Sequence, residues 1–118
     1  MMLPSEVEID WSHAQEAVRG NRSLLQSIVR TYLEEYPRRL AELHRAVQEQ
    51  TARPLQLAAH SIKSALRFFG AKQAYQLAVQ LENLGRNGRL QDSPPVLADL
   101  ETALQALAPH LREFIEQE

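Results

Sequence analysis

Apolar residues recur at helical spacing in five stretches of the chain, and no stretch shows the two-residue alternation of a half-buried strand. Ile9, Trp11, Ala14 and Val18 predict a short first helix, with Ser12 as its N-cap and Gly20 as its stop. Such a helix cannot stand alone, so Ile9 and Trp11 are expected to cover an end or edge of a larger bundle. Asn21 then caps a long helix whose apolar positions run Leu24, Leu25, Ile28, Val29, Tyr32, Leu33, Tyr36, Leu40, Leu43 and Val47. Pro37 interrupts it, removing one backbone bond and crowding the preceding turn, which predicts a kinked pair of helices ending near Gln50. Arg38 with Glu42, and Glu35 with Arg39, are spaced as solvated ion pairs.

After a short connection from Thr51 to Arg53, the stretch from Pro54 to Gly70 reads as one amphipathic helix, with proline in its first turn and glycine as its C-cap. At about 100° per residue, Leu55, Ala58, Ala59, Ile62, Ala65, Leu66 and Phe69 share an arc of roughly 120°. A following helix from Ala71 to about Arg86 buries Ala74, Leu77, Ala78, Leu81 and Leu84 and turns Lys72, Gln76, Gln80 and Asn83 outward. Ser93 and Pro94, as N-cap and first helical residue, open a last helix with Val96, Leu97, Leu100, Leu104, Leu107, Leu111 and Phe114, kinked at Pro109. The expected fold is all-α: an antiparallel four-helix bundle with an additional short N-terminal helix, the whole chain forming one domain.

Composition narrows the function classes. Hydrophobic residues make up 44% and charged residues 24%, the balance of a soluble globular protein. A formal net charge of -2, with no run of Lys and Arg, argues against nucleic acid as a partner. The chain has no cysteine, which excludes disulfides and thiolate metal sites, and its histidines are too scattered to pair as metal ligands on one helical face. No apolar run approaches the length of a membrane span, and the opening MMLPSEVEID lacks the basic and apolar segments of a leader, so a cytoplasmic location is expected. The doubled Met1-Met2 hints at a domain excised from a larger protein. There is no Gly-rich phosphate loop, which excludes that route to ATP.

Chemistry is concentrated on the helix from Pro54 to Gly70. His60 lies opposite its apolar stripe, among Arg53, Gln56, Lys63, Ser64 and Arg67 at offsets that place them on one polar face. Because helical side chains lean toward the N-terminus, Lys63 and Ser64 lie back over the turn that carries His60, leaving a cation beside the imidazole and only a small side chain above it. An anion could reach the ring from solvent. His13, His44 and His110 have no such surroundings. Leu57 and Phe68 sit about 60° and 80° around from His60, outside the apolar stripe. They form either a peripheral part of the core or an apolar docking strip beside the histidine.

The run AHSIKSALRFFGA, Ala59 to Ala71, resembles the signature of histidine-containing phosphotransfer domains, A-H-x-L-K-G followed later by G-A, with Ile62 for the usual leucine and Ser64 for the usual glycine. The resemblance extends to IDWSHAQEAVRGNRSLL and to LAVQLENLGR, and so covers nearly the whole chain. It implies a phosphorelay intermediate, a phosphoryl carrier and not an enzyme with its own ATP site. His60 would be the phosphoacceptor, Lys63 would stabilise phosphoryl oxygens, and Ser64 would donate a hydrogen bond or stay clear. Gln56, Leu57, Ser61, Arg67 and Phe68 would meet the partner. The partners implied are response-regulator receiver domains, and a hybrid sensor histidine kinase, with Mg²⁺ held by the receiver and no cofactor or metal on this chain, a monomer. Two alternatives are a structural adaptor bundle without phosphotransfer and the phosphoacceptor domain of a chemotaxis-type kinase.

Overall fold

The computed structural model describes residues 7–117. Five helices follow one another: α1 (Ser12–Ala17), α2 (Arg22–Glu49), α3 (Ala52–Phe69), α4 (Lys72–Arg86) and α5 (Ser93–Glu116), with a 3-10 turn at Leu90–Asp92. The described residues contain no strand, only an isolated bridge between Ile9 and Ala71. Helices α2 to α5 form the expected antiparallel bundle, in which α3 packs between α2 and α4 while α5 packs on α2 and α4 from the opposite corner. No described helix is long and apolar enough to cross a membrane.

Local chemistry explains most boundaries. Asn21 Oδ1 accepts the Leu24 N–H at 3.0 Å and starts α2 as expected, and Gln50, with φ of 53°, ends it in the left-handed region. Gly70, with φ of 68°, ends α3. Its missing side chain is needed twice over, because a Cβ there would collide with the Asp10 carbonyl, whose residue also donates its N–H to the Gly70 carbonyl at 3.1 Å. The N-terminal segment is thereby tied to the α3–α4 turn. Trp11 then closes that end of the bundle, stacked on Phe114 at 4.5 Å between ring centres and edge-on to Phe69 at 6.0 Å.

Several expectations are corrected. The serine at position 12 is the first residue of α1 and not its cap: Asp10 Oδ1 accepts the Ser12 N–H at 3.0 Å. Ser93 likewise lies inside α5, fully buried, and its hydroxyl donates to the Leu90 carbonyl of the preceding 3-10 turn. Pro37 does not split the second helix, since α2 is one element of 28 residues. One missing backbone bond is a local loss. Buried contacts on both sides, Val29 and Tyr32 before Pro37 and Leu43 and Ala46 after it, hold the same face of α2 against the core. Arg39 pairs with Glu42 at 3.5 Å instead of Glu35, while Arg38 reaches Glu42 at 4.0 Å as expected. On α4, Leu77 and Leu84 are only half-buried, and the fully buried positions beside Ala74, Ala78 and Leu81 are Glu82 and Gly85.

Candidate functional site

Helix α3 presents the site because its apolar stripe fixes its rotation. Leu55, Ala58, Ala59, Ile62, Leu66 and Phe69 are buried, with Ala65 half-buried, and this turns His60 outward with 59% of its side chain exposed. The ring is nevertheless anchored. Its Nδ1 lies 2.7 Å from Glu82 Oε2 on α4, and Lys63 Nζ donates to the other carboxylate oxygen, Oε1, at 2.7 Å. Arg86, one turn further along α4, places its guanidinium 3.7 Å from Oε2.

Gly85 explains how α4 comes near enough. A Cβ at Gly85 would stand 2.8 Å from the Gln56 backbone nitrogen and 3.1 Å from the Ala52 carbonyl oxygen, so the two helices meet there backbone to backbone. Glu82 lies one turn back along α4, and the antiparallel course of α3 brings it opposite His60 and Lys63.

Only 5% of the Glu82 side chain is exposed. An unpaired carboxylate buried to that degree would cost several kcal/mol (~), and this one is paired at both oxygens. Burial pushes the Glu82 carboxyl up, but the hydrogen bonds from Lys63 and His60, and the charges behind them, outweigh it and hold it below the usual carboxylate range. An ionised carboxylate can only accept. The shared proton therefore belongs to Nδ1, so that in the uncharged form of the imidazole the lone pair is on Nε2, across the ring from Glu82. The tautomer of the ring is thus set by its neighbour on α4.

The other expected site residues are placed as follows. Ser64 is exposed, and its hydroxyl donates to the His60 backbone carbonyl at 3.1 Å, away from the ring. Lys63 is half-buried and spends one donor on Glu82, leaving its ammonium two more. Gln56 is half-buried under α4, whereas Ser61 and Arg67 are exposed. Leu57, half exposed at 50%, stands at the lip of a groove of about 480 Å³ between α2 and α3, whose walls include Arg39, Ala46, Pro54 and Ser61. Phe68 is half-buried, edge-on to His13 of α1 at 5.9 Å and to Phe69 at 5.5 Å. Of the flank pair, Leu57 is the more open to solvent.

Glu82, Gly85 and Arg86 are the residues that sequence reasoning missed. A signal existed for Glu82: it shares the phase of Ala74, Ala78, Leu81 and Gly85, and a charge on an apolar stripe requires a partner. Among the described residues no group of three His, Asp or Glu side chains is placed to hold a metal ion.

A model of the Hpt domain family matches residues 27–110, a span that includes α3, α4 and most of α2 and α5. Among solved structures, the chain is similar to histidine-containing phosphotransfer protein B (HptB) from Pseudomonas aeruginosa PAO1, with a TM-score of 0.85, 22% identity, and coverage of 93% of this chain and 96% of that one. At that identity the likeness speaks for the fold. None of the curated protein sequences compared with the chain matches it.

Proposed function

The chain belongs to the Hpt domain family, and from that premise we propose that it is a phosphorelay intermediate, its His60 taking a phosphoryl group from the aspartyl phosphate of one receiver domain and handing it to another. The observation that carries the assignment to His60 is the hydrogen bond from Nδ1 to the buried Glu82 carboxylate.

The step follows from that geometry. Nε2 attacks phosphorus, the Nε2–P bond forms as the bond from phosphorus to the aspartyl oxygen breaks, and the donor carboxylate leaves as an anion. The ring keeps its Nδ1 proton and becomes cationic, which the Glu82 carboxylate opposite it stabilises. In the onward step the aspartate of the next receiver displaces the imidazole, whose electron pair returns to Nε2. The proton stays on Nδ1 throughout. Lys63, and with it Arg86, would face phosphoryl oxygens while holding Glu82 in place, and the folded-back Ser64 hydroxyl keeps the approach to the ring open. Mg²⁺ would sit on the receiver. Leu57, with Gln56, Ser61, Arg67 and Phe68, would form the surface that the receiver covers.

Incubation with phosphorylated receiver domains, followed by intact-mass measurement, tests this. One phosphoryl group should appear on the wild type and on His13→Gln, His44→Gln and His110→Gln, and none on His60→Gln. The adduct should be lost in mild acid and survive alkali, as a phosphoramidate does. Label retained by His60→Gln would overturn the assignment.

A further inference from the structure

The charges of this chain are divided unevenly between residues 52–86 and the rest of the sequence. Residues 52–86, which comprise α3, α4 and their turn, contain five cations (Arg53, Lys63, Arg67, Lys72, Arg86) and a single acid, Glu82. The rest of the chain holds 8 Lys and Arg against 14 Asp and Glu, counted from totals of 13 and 15. A protein of net charge -2 thus carries a surplus of cations on the pair of helices that bear His60.

Both groups mix paired and unpaired cations among the described residues: Lys63 and Arg86 meet Glu82, whereas Arg19, Arg30 and Arg112 meet no acid. On α2 and at the 3-10 turn, Arg38, Arg39, Arg45 and Arg89 each pair with an acid three or four residues away. Among the described residues, no acid lies within ion-pair distance of Arg53, Arg67 or Lys72, all exposed. Glu8 and Asp10 line a groove with Arg67 and Lys72, but the Asp10 carboxylate is engaged by the Ser12 N–H. Spacing completes the pattern: Arg53, His60 and Arg67 are seven residues apart, which sets them in one row along α3 with an arginine about 10 Å to each side of the histidine.

We infer that this row is an electrostatic guide for an acidic protein surface, specifically the carboxylate-bearing face that a receiver presents around its phosphorylated aspartate. The inference rests on the phosphorelay reading and adds to it the means by which the partner is oriented. Unpaired cations around a small target raise encounter rates and fix orientation more than they raise affinity, and their effect falls with salt. The row spans only about 20 Å, and the acidic remainder of the molecule would repel a long polyanion. Both features favour a protein surface over a nucleic acid.

The test is the association rate of the chain with an isolated, Mg²⁺-loaded receiver domain, followed by stopped-flow fluorescence from low to high ionic strength. The wild type should associate at least about 10-fold faster at low salt than at high salt. The double variant Arg53→Gln/Arg67→Gln should lose most of that advantage, with an unchanged melting temperature, while Arg112→Gln on the distant α5 should keep it. A salt-independent wild-type rate, a double variant with the wild-type salt slope, or tighter binding to a DNA oligonucleotide than to the receiver would overturn the inference. Phosphoryl transfer is scored separately by mass. Salt-steered binding without transfer would sink the relay reading and leave the guide standing, whereas transfer with no effect of the arginines would do the reverse.

Discussion

Glu82 and His60, 22 residues apart in sequence, are joined by a 2.7 Å hydrogen bond between a buried carboxylate and the Nδ1 of an exposed ring. The contact couples the bundle's packing to the chemistry of its surface, because the depth of Glu82 in the α3–α4 seam decides which imidazole nitrogen carries the proton.

Replacing Glu82 with Gln keeps the shape but removes the charge and allows the amide to donate as well as accept. Transfer should slow by about 10- to 100-fold, the range seen when the carboxylate behind a metal-ligating histidine is removed, while the fold is retained. Nitrogen NMR of the ring should show the Nδ1–H tautomer dominant in the wild type and a mixture in the variant. Equal tautomer populations in the two proteins would show that Glu82 does not set the proton.

Gly85→Ala sets two effects against each other. Alanine is favoured over glycine inside a helix by about 1 kcal/mol, but its Cβ would stand 2.8 Å from the Gln56 backbone nitrogen. Backbone atoms cannot swing aside as a side chain can, and overpacking of this kind costs about 1–3 kcal/mol. The variant should therefore melt at a lower temperature than the wild type and transfer more slowly, because α4 carries Glu82 away from His60. A rise in melting temperature would mean that the helices part without cost.

The core was legible wherever one helix alone decides the outcome. The apolar stripe of α3, the Asn21 cap, the Gly70 stop and the outward position of His60 all follow from intervals of three, four and seven residues. Glu82, Gly85 and Arg86 matter only through what lies opposite them on α3, and a single chain read along its length does not display that juxtaposition. The expected split of the second helix at Pro37 was misjudged for a related reason. The local cost of the proline is real, but contacts on both sides of it, supplied by other helices, carry α2 through.

Tyr32 gives a prediction about alkali. It is 8% exposed, stacked with Tyr36 and edge-on to Phe69, and its hydroxyl is buried without a hydrogen-bond partner among the described residues. Burial, and to a lesser degree Tyr36, hold its ionisation well above the ordinary value of 10.0. The folded state therefore keeps the phenol neutral where the unfolded state ionises it, so stability is intact below pH 10.0 and is lost as the pH rises past it. Tyr32→Phe should be within about 1 kcal/mol of the wild type at neutral pH, since no bond is lost, and more resistant to unfolding above pH 10.0. Chemical denaturation at neutral pH and at alkaline pH checks both halves, and an identical alkaline loss in the two proteins would remove Tyr32 as its source.

The last prediction separates packing from docking on α3. Ile62 is 2% exposed and Leu57 is 50% exposed on the same helix, so their truncations should differ in kind. Ile62→Ala should cost about 2–5 kcal/mol through lost burial and the cavity left behind. Leu57→Ala removes a side chain already half in water and should leave the melting temperature nearly unchanged, while weakening receiver binding if the lip of the α2–α3 groove is covered in the complex. Phe68 falls between them. Its ring is partly covered by His13 and Phe69, so Phe68→Ala should lower the melting temperature, though less than Ile62→Ala, and part of any loss in binding would then reflect a loosened α1. His13→Ala resolves that ambiguity by uncovering Phe68 without removing it. Measured together, the four variants assign the flank: receiver affinity lost with Leu57→Ala and kept with His13→Ala places docking on the open side chain, whereas affinity untouched by Leu57→Ala would remove this flank from the partner surface.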